Sequence, residues 1–367
     1  MSIITTSALA GALVLIILKY PNVFSVLIRS LSYIRGIHSR PSILAAFLMS
    51  TEKRKEVIKE LDGEFISKCS SMQMIRNKQL RIVFSEHVLV EKAPLIVFIH
   101  GFGGQVSQWR AQIEYFSPMC NILAVDLIGH GSSEVTNRGE DYQLNSIAQD
   151  LHEILKIYEA NHKGNMFLAT HSFGTIVGVK LVEMLPDYFR GLVLLAPVST
   201  LATKKNWITH IPTSGLDIIR WFDRLGGIDS TSVNRVVHST ASDGTRQSQL
   251  KWNSTSHSLT VQLMLSSGAT IDFPSYHKLE NIRLLIISGD SDTLSPTQLP
   301  YDIHRLARPA SYTSGGLDLP SGFHEVVQNC GHNPMIEKPD IVNSMLEAFF
   351  SNVFNKPLSH FCSKGEH

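Results

Sequence analysis

Short, almost wholly apolar runs recur along this chain, separated by segments whose apolar residues fall at helical spacing. That alternation narrows the fold more than any other feature. "LIVFIH" (95–100), "NILAVDL" (121–127), "FLATH" (167–171), "GLVLLAPV" (191–198) and "RLLIISGD" (283–290) lack the polar alternation of a half-exposed strand. They suit strands covered on both faces, as in parallel sheets. "LRIVFSEHVLV" (80–90) reads as a first strand region and "HEVVQNCG" (324–331) as the last. Between them, "SQWRAQIEYF" (107–116), the stripe of Ile147, Leu151, Ile154 and Tyr158, and "PDIVNSMLEAFF" (339–350) read as helices. The pattern predicts an α/β fold with a mostly parallel, doubly wound sheet.

Two intervals break the rhythm. Residues 199–282 are too many for a plain crossover. Their patches "GLDIIRWFDRL" and "SLTVQLMLSS" are helical, and the interval reads as an inserted cap with an apolar cluster of Trp207, Ile208, Ile211, Leu216, Ile218, Ile219, Trp221 and Phe222. Residues 308–322, rich in Ser, Gly and Pro, read as a mobile loop. The core is therefore expected over 79–198 and 283–352, with 41–78 as a helical connector and 353–367 as a C-terminal tail.

The amino terminus carries a separate signal. Residues 2–18 contain no charge, the first acidic residue is Glu52, and Lys19, Arg29, Arg35 and Arg40 precede it. A bilayer is spanned by about 17–25 apolar residues, so the run sits at the short limit. Residues 23–35 set Val23, Leu27, Leu31 and Ile34 opposite Ser25, Arg29 and Ser32, as in an interfacial helix. Residues 1–40 are expected to form a membrane anchor. Basic residues after the run place the rest of the chain on the cytosolic side, at the endoplasmic reticulum or a lipid droplet. A mitochondrial presequence is the alternative, since the segment is rich in Arg and Ser and free of acid.

Composition excludes some functions. A formal net charge of +1 does not suit a nucleic-acid binder that relies on bulk electrostatics. Cys69, Cys120, Cys330 and Cys362 are scattered without zinc spacing, so no metal is expected and reduced thiols are the default.

One strand stops abruptly on a hydroxyl. In "FLATHSFGT" (167–175) the apolar run ends at Ser172, and Ile176, Val177, Val179, Leu181 and Val182 then follow at helical period. A serine at a sharp strand-to-helix turn among small residues is the setting of a nucleophile elbow. Serine is a weak nucleophile at pH 7 and needs a histidine base and a group to orient it. His332 follows the last strand, on the same sheet edge as Ser172; His324 starts that strand, and His171 as a strand neighbour is expected to point to the opposite face. Asp290 and Asp292 both lie at a strand end, in the chain order Ser, Asp, His. The backbone N–H of Phe173 and that of Phe102, in the glycine-rich "HGFGG" loop (100–104), are the candidate oxyanion donors. A phosphate-cradling loop would show GxGxxG or GK[ST], and neither occurs.

"HGFGG", "DLIGHGSS" (126–133), "THSFGT", "GDSD" and "GHNPMIEKP" occur in the order of the α/β-hydrolase superfamily, which the chain resembles from about residue 80 to 352. The resemblance, to eukaryotic membrane-associated serine esterases and lipases, implies an α/β-hydrolase fold with Ser172 as nucleophile, Asp292 (third after Gly289) as acid and His332 as base. It implies a structural role for Asp126, no cofactor, and a carboxylic ester as substrate, of a lipid by the anchor and cap. Thr170 departs from the Gly-x-Ser-x-Gly elbow. An acyltransferase acting on a lipid acceptor is the alternative, though relatives of that kind carry H-x-x-x-x-D where this chain has Glu337. A catalytically silent scaffold is the third reading. An epoxide-hydrolase mechanism needs a carboxylate at 172, which serine rules out.

Overall fold

A computed structural model describes residues 49–87, 93–201, 207–307, 324–354 and 357–358. The expected membrane anchor (1–40) and the loop at 308–322 lie outside the described residues. Eight strands form one sheet: β1 (Ser70–Ile75), β2 (Lys78–Ser85), β3 (Leu95–Ile99), β4 (Asn121–Asp126), β5 (Met166–His171), β6 (Phe189–Leu195), β7 (Arg283–Gly289) and β8 (His324–Val327), in the order β1-β2-β4-β3-β5-β6-β7-β8. β1–β2 and β2–β4 pair antiparallel and every other pair is parallel. β3, β4 and β5 are buried at every position, which is why their sequences carry no polar alternation.

Helices cover both faces. α1 (Thr51–Lys68) precedes the sheet; α2 (Arg110–Phe116), α3 (Leu144–His162) and α4 (Phe173–Met184) follow successive strands. On one face, Ile147, Leu151 and Ile154 of α3 and Ile176, Val179 and Val182 of α4 join Val97, Leu123 and Leu168 in one core. On the other, Ile113 and Phe116 of α2 pack with Phe98, Ala124 and Phe167 and with Val342, Leu346 and Phe350 of a C-terminal helix, Pro339–Phe354. The sheet is doubly wound, as the alternation of runs predicts.

Two boundaries need correction. The connector is helical only to Lys68: residues 70–75 are a strand, so the sheet begins before residue 79. Arg76 and Asn77 both take positive φ, 46° and 66°, closing a two-residue hairpin with β2. Turns of this kind favour Asn-Gly; Arg-Asn gives no such warning. At the other end the last helix runs to Phe354 and Leu358 is fully buried in the second core, so the tail does not begin as a loose end at 353.

Between β6 and β7 the described residues hold α5 (Thr213–Arg224), α6 (Asp243–Thr255), α7 (Ser258–Ser267) and shorter turns of helix, with one isolated bridge, Thr200 to Thr270, and no sheet strand. This layer touches the body at several points. Trp252 of α6 packs on Val57 and Leu61 of α1 and donates from Nε1 to Ser107 Oγ at 2.9 Å.

Candidate active site

Parallel strands present their carboxyl ends along one edge, where ligands bind in open α/β sheets. Ser172 follows β5 there, in a conformation that serine rarely takes (φ 50°, ψ −120°). Such a residue costs roughly 1–3 kcal/mol and persists only where its surroundings over-determine it. Here Ser172 N–H donates to Leu195 O at 2.9 Å, and its carbonyl accepts from the N–H of Thr175 at 2.8 Å. The elbow also needs close approach: a Cβ on Gly174 would fall 2.6 Å from Ile99 O and 2.8 Å from His100 O. Thr170, the departure from the elbow pattern, is housed by Gly178 one layer up in α4, where a Cβ would lie 2.7 Å from the threonine methyl. Its hydroxyl donates to Val193 O at 2.8 Å.

The three side chains singled out in sequence meet at this edge. His332 Nε2 lies 2.8 Å from Ser172 Oγ, and Nδ1 lies 2.9 Å from Asp292 Oδ2. Asp292 also accepts at Oδ1 from the N–H of Leu294 (2.8 Å) and of Ser295 (3.1 Å). Burial pushes its carboxyl pKa up, but the hydrogen bond and charge of His332, with these backbone donors, hold it well below the usual range. Asp290 does something else: it accepts from the N–H of Asn329 (2.9 Å) and Cys330 (3.1 Å), tying a turn.

Groups that the sequence reading did not assign hold the backbone of His332. His332 N–H donates to Val236 O at 2.9 Å, in the segment between α5 and α6. Glu337 accepts from the N–H of Gly331 (3.1 Å), of Asn333 (3.3 Å) and, across from the same segment, of His238 (2.8 Å). Asn333 Nδ2 donates to Gln249 Oε1 of α6 at 2.9 Å. His171 does not turn away from the site: its Nε2 is 2.9 Å from His332 O. Burial, then the neighbouring His332, bring its pKa down to about 3, so the ring is neutral and Nε2 carries the donated proton.

The "HGFGG" loop is braced in the same manner. A Cβ on Gly101 would fall 2.9 Å from Ser172 Cβ, so the loop lies over the hydroxyl. Gly103 N–H donates to His130 Nε2 at 3.1 Å, and His130 Nδ1 is 2.9 Å from Ile128 O. That imidazole is fully enclosed; burial and then His100 bring it to about 3. Asp126 accepts from Val106 N–H (2.7 Å) and Ser132 N–H (2.9 Å) and faces Arg81 at 3.2 Å. Neither Phe102 nor Phe173 N–H has an acceptor among the described residues, so both are available at the loop and at the first turn of α4.

A mostly parallel, doubly wound sheet with a strained serine between strand and helix, an imidazole on its hydroxyl and a carboxylate behind defines an α/β hydrolase fold. The family of that description matches residues 94–339, and the chain belongs to it. An abhydrolase domain-containing protein of Schizosaccharomyces pombe is 26% identical over 272 residues, 70% of either chain. Human protein ABHD8 is 23% identical over 266 residues, 70% of this chain and 54% of its own, so this chain spans about half the length of that relative. Among solved structures, a bacterial membrane phospholipase A aligns with a TM-score of 0.59 at 18% identity, covering 90% of this chain and 97% of that one. A serine hydrolase involved in carbazole degradation aligns with a TM-score of 0.55 at 15% identity, covering 77% and 98%. At these identities the structural likenesses speak for the fold.

Proposed function

We propose that the protein is a serine hydrolase that cleaves carboxylic esters of lipids. The observation that carries this reading is the unbroken chain of contacts from Ser172 Oγ through His332 to Asp292. In it, Ser172 Oγ attacks the acyl carbonyl while His332 Nε2 takes the hydroxyl proton, and Asp292 holds the imidazolium that forms. The N–H groups of Phe102 and Phe173 receive the oxyanion. The tetrahedral adduct collapses as His332 protonates the leaving alcohol. Water, deprotonated by the same imidazole, then releases the acid from Ser172.

The lipid assignment rests on the cap and on the amino terminus. Of the cap's early apolar residues only Leu216 is fully buried; Ile218, Ile219, Trp221 and Phe222 keep part of their surface open. Pockets for apolar ligands are lined by such side chains, and each buried methylene contributes about 0.8 kcal/mol. No helix among the described residues is long and apolar enough to cross a membrane. The anchoring reading belongs to residues 1–40, with the hydrolase domain facing the cytosol. The membrane phospholipase A named above is a lipid enzyme on the same fold.

Labelling of the full-length protein with a fluorophosphonate, lost in Ser172→Ala, tests the chemistry. Product analysis on a panel of glycerolipids, with and without an alcohol acceptor, separates hydrolysis from acyl transfer. Labelling that persists in Ser172→Ala overturns the mechanism. A preference for acetyl over long-chain esters, with no glycerolipid cleaved, overturns the lipid assignment alone.

A further inference from the structure

On α5, Asp217, Arg220 and Arg224 stand at i, i+3 and i+7 and so share one face. Arg220 is pinned to the corner between α6 and α7. Its Nη2 donates to Asn253 O (2.8 Å) and Ser256 Oγ; its Nη1 donates to Ser256 O and Ser258 Oγ, both at 3.0 Å. Arg54 of α1 reaches the same corner from another element, with Nη1 2.7 Å from His257 Nε2. Two guanidinium groups from distant parts of the chain thus meet on residues 253–258, and a third stands one turn along α5.

Among the described residues this corner carries more positive than negative charge. Arg76, Arg81, Arg110, Arg138, Arg246 and Arg305 each sit against a carboxylate. Among the described residues no carboxylate pairs with Arg54, Arg220 or Arg224. Arg54 Nε is buried without a hydrogen-bond partner, and the Arg224 guanidinium makes no hydrogen bond to a described residue. Asp217 acts on all three electrostatically and Asp223 on Arg220 and Arg224, while the Asp223 carboxylate also accepts from Ser232 N–H at 3.3 Å. The chain ahead of α1 adds no acid, because residues 1–51 contain neither Asp nor Glu. Burial lowers the pKa of each of the three, Arg220 to about 10, and Arg224 pushes Arg54 and Arg220 further the same way. His257, brought to about 4 by burial and then by Arg54 and Arg220, is neutral. Buried cations are normally paired, and a cluster left in excess positive charge favours an anion.

We propose that this corner binds a phosphate group, gripped by the Arg224 guanidinium and the Arg54 nitrogens not engaged with His257, with Arg220 as a fixed charge behind them. Planar guanidinium forks match phosphate oxygens in geometry. Three cations set against Asp217 and Asp223 leave positive charge in excess, and a phosphate offers oxygens to more than one guanidinium where a single carboxylate offers two. The phosphate comes either from a phospholipid headgroup or from a soluble phosphomonoester.

The test uses the full-length protein in neutral detergent micelles, read by thermal unfolding and by phenylglyoxal footprinting of arginines. Inorganic phosphate should raise Tm where chloride at matched ionic strength does not, and should shield Arg54 and Arg224 while the exposed Arg305 stays reactive. Arg54→Gln and Arg224→Gln should each weaken phosphate binding about tenfold. Arg224→Gln breaks no described hydrogen bond, so it decides the matter if Arg54→Gln fails to fold. Ser172→Ala should bind phosphate like the wild type, which keeps this result separate from the hydrolase chemistry. Repeating the footprint on phosphatidylcholine vesicles with and without phosphatidic acid identifies the source: shielding by phosphatidic acid assigns a headgroup, and shielding by inorganic phosphate alone assigns a soluble compound. Equal Tm in phosphate and chloride, with Arg54 and Arg224 equally reactive under every condition, overturns the proposal.

Discussion

Asp290 and Asp292 lie two residues apart yet stand in different environments. Asp292 is enclosed against His332, whereas Asp290 ties an exposed turn. Under the proposed mechanism Asp292→Asn should lower kcat by about four orders of magnitude. Asp290→Asn should cost less than tenfold by the same assay, a contrast that equal effects would refute. The buried histidines make a second prediction, about acid. His130 and His171 sit near 3 when folded and near 6.5 when free. Because the unfolded chain takes up those protons first, their contribution is complete above about pH 6.5 and is lost progressively as pH falls toward 3. Thermal melts between pH 7 and 4 should therefore slope less in His130→Gln than in the wild type. Ser172, His332 and the two aspartates were legible because chain order and strand ends constrain them. The roles of Glu337, His171 and His130 were not, since each acts on a backbone group that only tertiary packing brings within reach. The one trace was position, with Glu337 fifth after His332 and His130 inside "DLIGHG".

The elements themselves show where local pattern suffices. Fully buried β3, β4 and β5 announce themselves by unbroken apolar runs, whereas β1 mixes exposed Ser71, Met72 and Met74 with a single buried Ile75 and looks like connector. Its pairing is decided by the backbone at Arg76 and Asn77, which no hydrophobic period reports. At the elbow, strand and helix are matched pairwise. Gly178→Ala sets a methyl against Thr170, an overpacking that should destabilise by about 1–3 kcal/mol in urea unfolding. Adding Thr170→Gly should recover most of it, and independent, additive effects would show that the two do not share one space. Glu337 joins the cap segment to the loop of His332. Glu337→Gln replaces one of the two acceptor oxygens by a donor NH2, so with Oε1 kept for Gly331 and Asn333 the His238 N–H loses its acceptor, at a cost of about 1–3 kcal/mol. The rate of fluorophosphonate labelling should drop with it, whereas a purely structural role would lower Tm and leave that rate unchanged.

Across the whole molecule, Arg81 on β2 is the hinge pin between α1 and the site edge. It faces Asp62 of α1 at 2.7 Å and Asp126, which holds Val106, at 3.2 Å. Burial, opposed by Arg81, brings Asp62 up to about 6. Asp62→Asn should be the milder change, because Arg81 keeps Asp126 as its partner. Arg81→Met strands two carboxylates in the interior and should cost about 3–5 kcal/mol by chemical denaturation. This long-range link is invisible in sequence: Asp62, Arg81 and Asp126 share no spacing, and only the fold unites them. The attachment of His332 to Val236, of Glu337 to His238 and of Asn333 to Gln249 has a different consequence. The roof over the site and the frame of the base are one piece, so lifting the roof at that end would disarm the serine. Under the proposed function, an entering chain would have to leave that end of the roof in place.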